Sequence, residues 1–240
     1  MARRYNWAGD VIVRDTIVWN KRTVIGHNNV YIPCDIREWI TSSRSEVMRQ
    51  ALQEIDLPTS RSSGTFDLRA WKIWKYVAEK IDYVNDQKMT GKSDWWLYPA
   101  ETLALGKGDC EDSSFLLATL MAGSGISEDC IRVVLGRVLS KNGSYGHAWV
   151  VYQAESGEWC LMETTSKSVT PRLIPADPLT EDGATNRYEP KFCLNSTHLW
   201  SILPSPGSMA EYIKSREQTA SPIGPSYPRP SRGDGPPSPI

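Results

Sequence analysis

The chain carries almost no net charge: 27 basic and 28 acidic side chains leave a formal −1. That balance removes the general electrostatic case for a nucleic acid or an anionic membrane as partner. No apolar run approaches the ~18 residues that a membrane-spanning helix needs. The opening stretch MARRYNWAGDVIVRD has two arginines but no apolar segment behind them, so no secretory signal is expected. A cytoplasmic location is then the default, with non-classical release or association with a virion left open. The five cysteines, Cys34, Cys110, Cys130, Cys160 and Cys193, are widely spread and include no CxxC pair. That spacing suits neither a zinc site nor a disulfide framework, and reduced thiols are expected. There is no internal repeat, P-loop, dinucleotide fingerprint, HExxH or GxSxG. Only three histidines, His27, His147 and His198, are available as an imidazole base.

Against these absences, 40% hydrophobic residues and ten tryptophans over 240 residues are enough for a real core in one large domain or one and a half. Residues 1–65 read as an N-terminal extension wrapping the core. They begin with β-rich pieces such as VIVRDTIVW and turn signals such as GHNN, and continue through the serine-capped helical pattern SRSEVMRQALQEI. From residue 66, FDLRAWKIWKYVAEKIDYVND places Leu68, Trp71, Trp74, Val77, Ala78 and Ile81 on one helical face. YPAETLALGKG reads as a short helix opened by Pro99 and ended by Gly106. A further helix is expected from about Cys110 to Met121, closed by GSG. The period then changes to two: CIRVVLGRVL, GHAWVVYQ and EWCLMET read as strands, with YEPKFCLN and HLWSI adding a further strand and a terminal turn. Helices first and strands second point to an α+β fold, its main domain spanning 66–205. Residues 206–240 end in a proline-rich run without apolar periodicity, where disorder is expected.

The stretch ALGKGDCEDSSFLLATLMAGSGI sets one cysteine between a glycine-rich turn and an apolar run. Cys110 can be a buried core thiol, a metal ligand or a nucleophile. A thiol at a helix start faces unpaired N–H groups and the positive end of the dipole, which favour thiolate. Its own N–H can serve as one donor to an oxyanion. The bland alternative makes Asp109 an N-cap, with Glu111 and Asp112 as ordinary first-turn acids.

A thiol nucleophile needs a base, and His147 opens the strand GHAWVVY. If ESG is a three-residue hairpin loop with Gly157 left-handed, Ala154 pairs with Glu158. Counting outward sets Trp149 opposite Glu163 and His147 opposite Thr165. His147 and Glu163 then share a face as diagonal neighbours; a four-residue loop would break that parity. The pattern allows a relay in which Cys110 attacks a carbonyl, His147 moves the proton and Glu163 fixes the imidazole tautomer.

DWWLYPAETLALGKGDCEDSSFLLATLMAGSGI, then GHAWVVY, then LMETT, resembles the transglutaminase-like superfamily of papain-like cysteine enzymes, and within it the bacterial transglutaminase-like cysteine proteinases. The resemblance covers about residues 66 to 200. It implies a papain-like core, with the nucleophile at a helix N-terminus packed on an antiparallel sheet. Carried over, Cys110 resembles the nucleophile, His147 the base and Glu163 the third member, where the family usually has aspartate. Trp95 or Trp96 is the candidate to complete the oxyanion hole. No cofactor is required for the chemistry, but some members bind calcium through acids flanking the cysteine, and Asp109 and Glu111 match those positions. The physical reason is that uncompensated carboxylates raise the pKa of a nearby thiol, and a hard cation relieves this. The implied activity is thiol hydrolysis of a peptide or isopeptide amide in a protein or peptide substrate. A transglutaminase or other acyl transferase would use the same triad, and a non-catalytic scaffold would keep only the fold.

Overall fold

The computed structural model describes residues 11–12, 19–23, 31–60, 62–140, 143–165, 174–175 and 187–201. Three strands, β1 (Val11–Ile12), β2 (Trp19–Thr23) and β3 (Tyr31–Asp35), lead into a 3-10 segment, Ile36–Arg44. Helices α1 (Glu46–Glu54) and α2 (Phe66–Lys80) follow, then β4 (Asp82–Tyr83), α3 (Asp86–Thr90), α4 (Pro99–Leu105) and β5 (Lys107–Gly108). Helix α5 (Cys110–Gly123) precedes the strands β6 (Ile131–Ser140), β7 (Gly143–Gln153), β8 (Trp159–Met162), β9 (Ile174–Pro175), β10 (Arg187–Leu194) and β11 (Leu199–Ser201).

Helix α5 is the centre of the molecule. Every residue from Cys110 to Met121 is buried, as expected of a helix enclosed on all sides rather than lying on a surface. Phe115, Leu116, Leu117, Leu120 and Met121 are fully buried, at about 1.5–3 kcal/mol each relative to exposure. α1, α2, α4 and the 3-10 segment pack on one side of α5, and β6 and β7 on the other. Ile36, Trp39, Ile40, Met48 and Ala51 belong to the same core, so part of the chain before residue 65 builds the core.

α1 starts as its serines suggest, with Ser45 Oγ accepting from the Met48 N–H at 3.3 Å. α2 is rotated from the face read in the sequence. Ala70, Ile73, Trp74, Val77 and Ala78 are buried, whereas Leu68 is exposed and Trp71 half-buried. The turn beside Leu68 is anchored instead by Arg69, which is buried and donates to the carbonyls of Ser124, Pro58 and Ser60. Three carbonyl acceptors compensate the desolvation of the guanidinium, and a polar side chain displaces leucine from the inward position.

The strands form one seven-stranded sheet in the order β1-β11-β10-β6-β7-β8-β9 with every neighbouring pair antiparallel. Alternation divides its side chains. Val133, Leu135, Ala148, Val150, Cys160 and Met162 join the core around α5, while Val134, Trp149, Val151, Leu161 and Cys193 cluster on the other face. Gly136 admits no side chain: a Cβ there would lie 2.3 Å from the Glu189 carbonyl and 2.7 Å from the Trp149 ring, beside the register shift between Pro190 and Phe192. Among the described residues, no helix is long and apolar enough to cross a membrane. Among the described residues, Cys110, Cys130, Cys160 and Cys193 form no disulfide. The expected tail, residues 206–240, lies outside the described residues.

Candidate active site

The hairpin that carries His147 closes through three residues. Ala154 N–H donates to Glu158 O at 2.8 Å, and Gly157 is left-handed at φ 86°. The ladder runs from Gln153↔Trp159 to Val150↔Met162. Continuing the count sets Trp149 level with Glu163, and the side chains of His147 and Glu163 meet: His147 Nε2 and Glu163 Oε2 are 2.7 Å apart. Both residues are buried.

Glu163 is held from every side. Oε1 accepts from the Thr165 N–H at 2.8 Å and the Thr165 hydroxyl at 2.7 Å. Oε2 accepts from His147 and from the Tyr188 hydroxyl at 2.9 Å. The Glu163 backbone carbonyl accepts from the indole N–H of Trp74, on α2, at 2.6 Å. Burial alone pushes the carboxyl up, but His147 and the two Thr165 donors outweigh it and hold Glu163 below the usual glutamate range. An ionised acceptor at Oε2 fixes the imidazole proton on Nε2, which leaves Nδ1 as the nitrogen with a lone pair.

Cys110 opens α5 and is buried, with its thiol donating to Glu111 Oε2 at 2.8 Å. Asp112 organises the approach to this helix start, accepting from Leu97 N–H at 2.7 Å and from Asp109 N–H at 3.1 Å. A Cβ on Gly108 would lie 2.7 Å from the Asp112 Cβ, so glycine lets that carboxylate pack under the turn. One turn on, Ser113 Oγ lies 2.8 Å from Thr164 Oγ1, tying α5 to the residue after Glu163.

Two cavities meet between these parts. One, of about 240 Å³, is walled by His147, Glu163, Thr165, Tyr83, Tyr145 and Tyr188 among others. The smaller one is walled by Gly108, Asp109, Ser113 and Thr164, and shares Tyr83 and Thr165 with the first. Tyr83 is placed there by the short parallel pairing Tyr83↔Gly108. The structure thus joins His147 to Glu163 directly and sets the start of α5 on the adjoining wall.

Neither tryptophan candidate contributes to those walls. Trp96 is in the core, edge-on to Trp39 at 5.8 Å and against Phe115 at 5.4 Å, with its indole N–H on Asp94. Trp95 is half-buried beneath the Lys92 ammonium, 3.3 Å from the ring centroid.

Five acids converge behind Cys110. The sets Asp109, Cys110 and Glu111; Asp86, Asp109 and Asp112; and Asp86, Asp94 and Glu111 each bring ligand atoms within 4.8 Å of one another. Burial, then the charges of Glu111 and Asp112, push Asp109 up to about 12. Burial and Glu111 likewise raise Asp112 well above the aspartate range. The Asp109 Oδ1 atom is buried with no hydrogen-bond partner. The five carboxylates of this cluster, with an orphaned oxygen among them, fit a hard divalent cation such as calcium. Asp86, Asp94 and Asp112 extend the pair Asp109 and Glu111 expected from sequence. Asp86 and Asp94 sit in NDQ and SDWW, up to 24 residues before Cys110, where only folding reveals their convergence.

A buried helix-start cysteine on an α+β core and a histidine–carboxylate pair across an antiparallel hairpin are the kinds of group that thiol hydrolysis uses. The chain belongs to the bacterial transglutaminase-like cysteine proteinase family, whose model matches residues 28–171. It is a cysteine peptidase of transglutaminase-like type, and its substrate is a protein. The chain is also similar to solved structures of LapG from Legionella pneumophila. One is 18% identical, covering 76% of this chain and 94% of that one, with a TM-score of 0.48. An EGTA-treated form is 19% identical, covering 70% and 84%, with a TM-score of 0.47. A calcium-bound form is 18% identical, covering 67% and 88%, with a TM-score of 0.41. Comparison with curated proteins returns no match.

Proposed function

We propose that this peptidase cleaves an amide through a Cys110 acyl-enzyme, with His147 as base and Glu163 as its orienting acid. The observation that carries the reading is the 2.7 Å contact between His147 Nε2 and the buried Glu163 carboxylate. It commits one ring nitrogen and frees Nδ1 to accept the thiol proton. Cys110 Sγ then attacks the scissile carbonyl carbon, and the Cys110 N–H at the helix start is one donor to the oxyanion. His147 returns the proton to the leaving amine as the C–N bond breaks. Water, deprotonated by the same nitrogen, hydrolyses the thioester and restores the thiol. Throughout, Glu163 stabilises the imidazolium without taking its proton, consistent with its depressed pKa.

Asp86, Asp94, Asp109, Glu111 and Asp112 are the residues that would hold a calcium ion. Bound there, the cation supplies neutralisation of the carboxylates that otherwise disfavour a Cys110 thiolate.

The test is the alkylation rate of each cysteine, read by mass spectrometry in wild type and His147→Ala, with calcium and with chelator. Cys110 is expected to react far faster than Cys130, Cys160 and Cys193, and to lose that advantage in His147→Ala. A Cys110 indifferent to His147 in both conditions would refute the mechanism.

A further inference from the structure

The residue that completes the relay lies outside the Cys, His, acid pattern. Tyr188, on β10, reaches the same carboxylate oxygen as His147, its hydroxyl 2.9 Å from Glu163 Oε2. The β6 position paired with His147 is Gly136, and the space a side chain would fill there is taken by the Trp149 ring, against which Tyr188 packs. The ring is located independently of that hydrogen bond. It packs edge-on to Trp149 at 5.2 Å between centroids and tilted against the His147 imidazole at 6.1 Å. Burial and the neighbouring Glu163 charge raise the Tyr188 phenol far above its usual value, so it is a permanent donor.

We infer that Tyr188 is a positioning residue for the relay, tuning the basicity of His147 through the shared oxygen of Glu163. Positioning of the carboxylate itself is divided between the two ends. Thr165 supplies both donors at Oε1 and sets the rotation of the group. Tyr188 shares Oε2 with the imidazole and draws charge from it. An oxygen that already accepts a hydrogen bond holds an imidazolium less tightly, so loss of the hydroxyl should strengthen the hold of Glu163 on the ring. Among the described residues, the ionisable groups against the ring or lining its cavity are Glu163, Tyr188, Tyr145 on β7 and Tyr83, with Arg137 of β6 opposite the neighbouring Gly146, and the proposed relay adds Cys110 at Nδ1. Near neutral pH, Glu163 is the charge in contact with the imidazole, and Tyr188 acts on that oxygen.

The inference rests on the proposed relay, and its test separates the two. The protein has three histidines, so the His147 imidazole can be followed by NMR titration. Tyr188→Phe removes the hydroxyl and keeps the ring contacts. The midpoint is expected to rise by about 0.5 pH unit, roughly threefold in the protonation constant. In a Glu163→Gln background the same substitution should leave the midpoint unchanged, because the coupling passes through the carboxylate. An unchanged or lowered midpoint in Tyr188→Phe overturns the assignment, as does an equal rise with Glu163→Gln. The wild-type comparison decides the matter even if the double variant fails to fold. Cys110 alkylation is measured alongside. A shifted midpoint with a sluggish Cys110 refutes the acyl-enzyme mechanism and leaves the Tyr188 coupling standing.

Discussion

Glu163→Gln probes the site most directly, because a carboxylate offers two acceptor oxygens and an amide only one. In the wild type four donors converge on the group: Thr165 N–H and hydroxyl on one oxygen, His147 and Tyr188 on the other. A glutamine must turn its NH2 toward one of these pairs. If it faces Thr165, the hydroxyl can rotate away but the backbone N–H cannot. If it faces His147, the relay loses its acceptor. Each outcome orphans at least one buried donor at about 1–3 kcal/mol, and weakens a charge-assisted bond worth about 1.5–3 kcal/mol. The expected net loss is about 2–4 kcal/mol of stability, measurable as a lower urea midpoint at unchanged slope. The rate of Cys110 alkylation should fall about 10- to 100-fold, since about 1.4 kcal/mol corresponds to a factor of ten. A variant within about 0.5 kcal/mol of wild type, the ordinary range for a surface substitution, would show that Glu163 is not clamped as described.

The pH dependence of stability has a defined sign. The Glu163 carboxyl is held below its ordinary value of 4.5, so its contribution is complete above that pH and is lost as pH falls through the lower folded value. Acid titration of wild type against Glu163→Gln should show this component in the wild type alone; parallel curves would contradict it. Calcium at about 100 times its dissociation constant should stabilise the fold by about 2.7 kcal/mol, read as a higher melting temperature reversed by chelator and largely abolished in Asp86→Asn. A melting temperature indifferent to both reagents would remove the cation from the acid cluster. Gly108→Ala should cost about 1–3 kcal/mol through overpacking, because the new methyl would meet Asp112 Cβ at 2.7 Å. Unaltered thermal unfolding would show that the turn yields without penalty.

Much of the site was legible along the chain because it depends on short-range regularities. The ESG loop length sets the parity of the hairpin, and that parity brings His147 to Glu163 across one face. Glycines and acids before an apolar run mark the start of α5 at Cys110. The helical periodicity of α2 is legible too, and Trp74, Val77, Ala78 and Ile81 of the expected face are buried, but at its start Leu68 gives way to Arg69, drawn inward by the carbonyls of residues 58, 60 and 124. Trp95 and Trp96 looked available for the cleft by proximity to Cys110. The ring of Trp96 is instead taken up by Trp39 and Phe115, and hydrophobic burial does not distinguish a wall from a core until both partners are known.

By itself, then, the sequence determined the main helices and the longer strands after them, the helix-start thiol, the hairpin register and the pairing of an imidazole with a carboxylate. Each of these follows from turn chemistry or from the 3.6- and 2-residue periods, which act over a few neighbours. Only the tertiary structure decided that Asp86 and Asp94 join the acids around Cys110, that Ser113 ties α5 to Thr164, and that Tyr188 reaches Glu163. These groups lie 16 to 51 residues from their partners in the chain. Contacts over such separations are set by how α5 seats against the sheet and by which strands neighbour one another within it, and no local period encodes either.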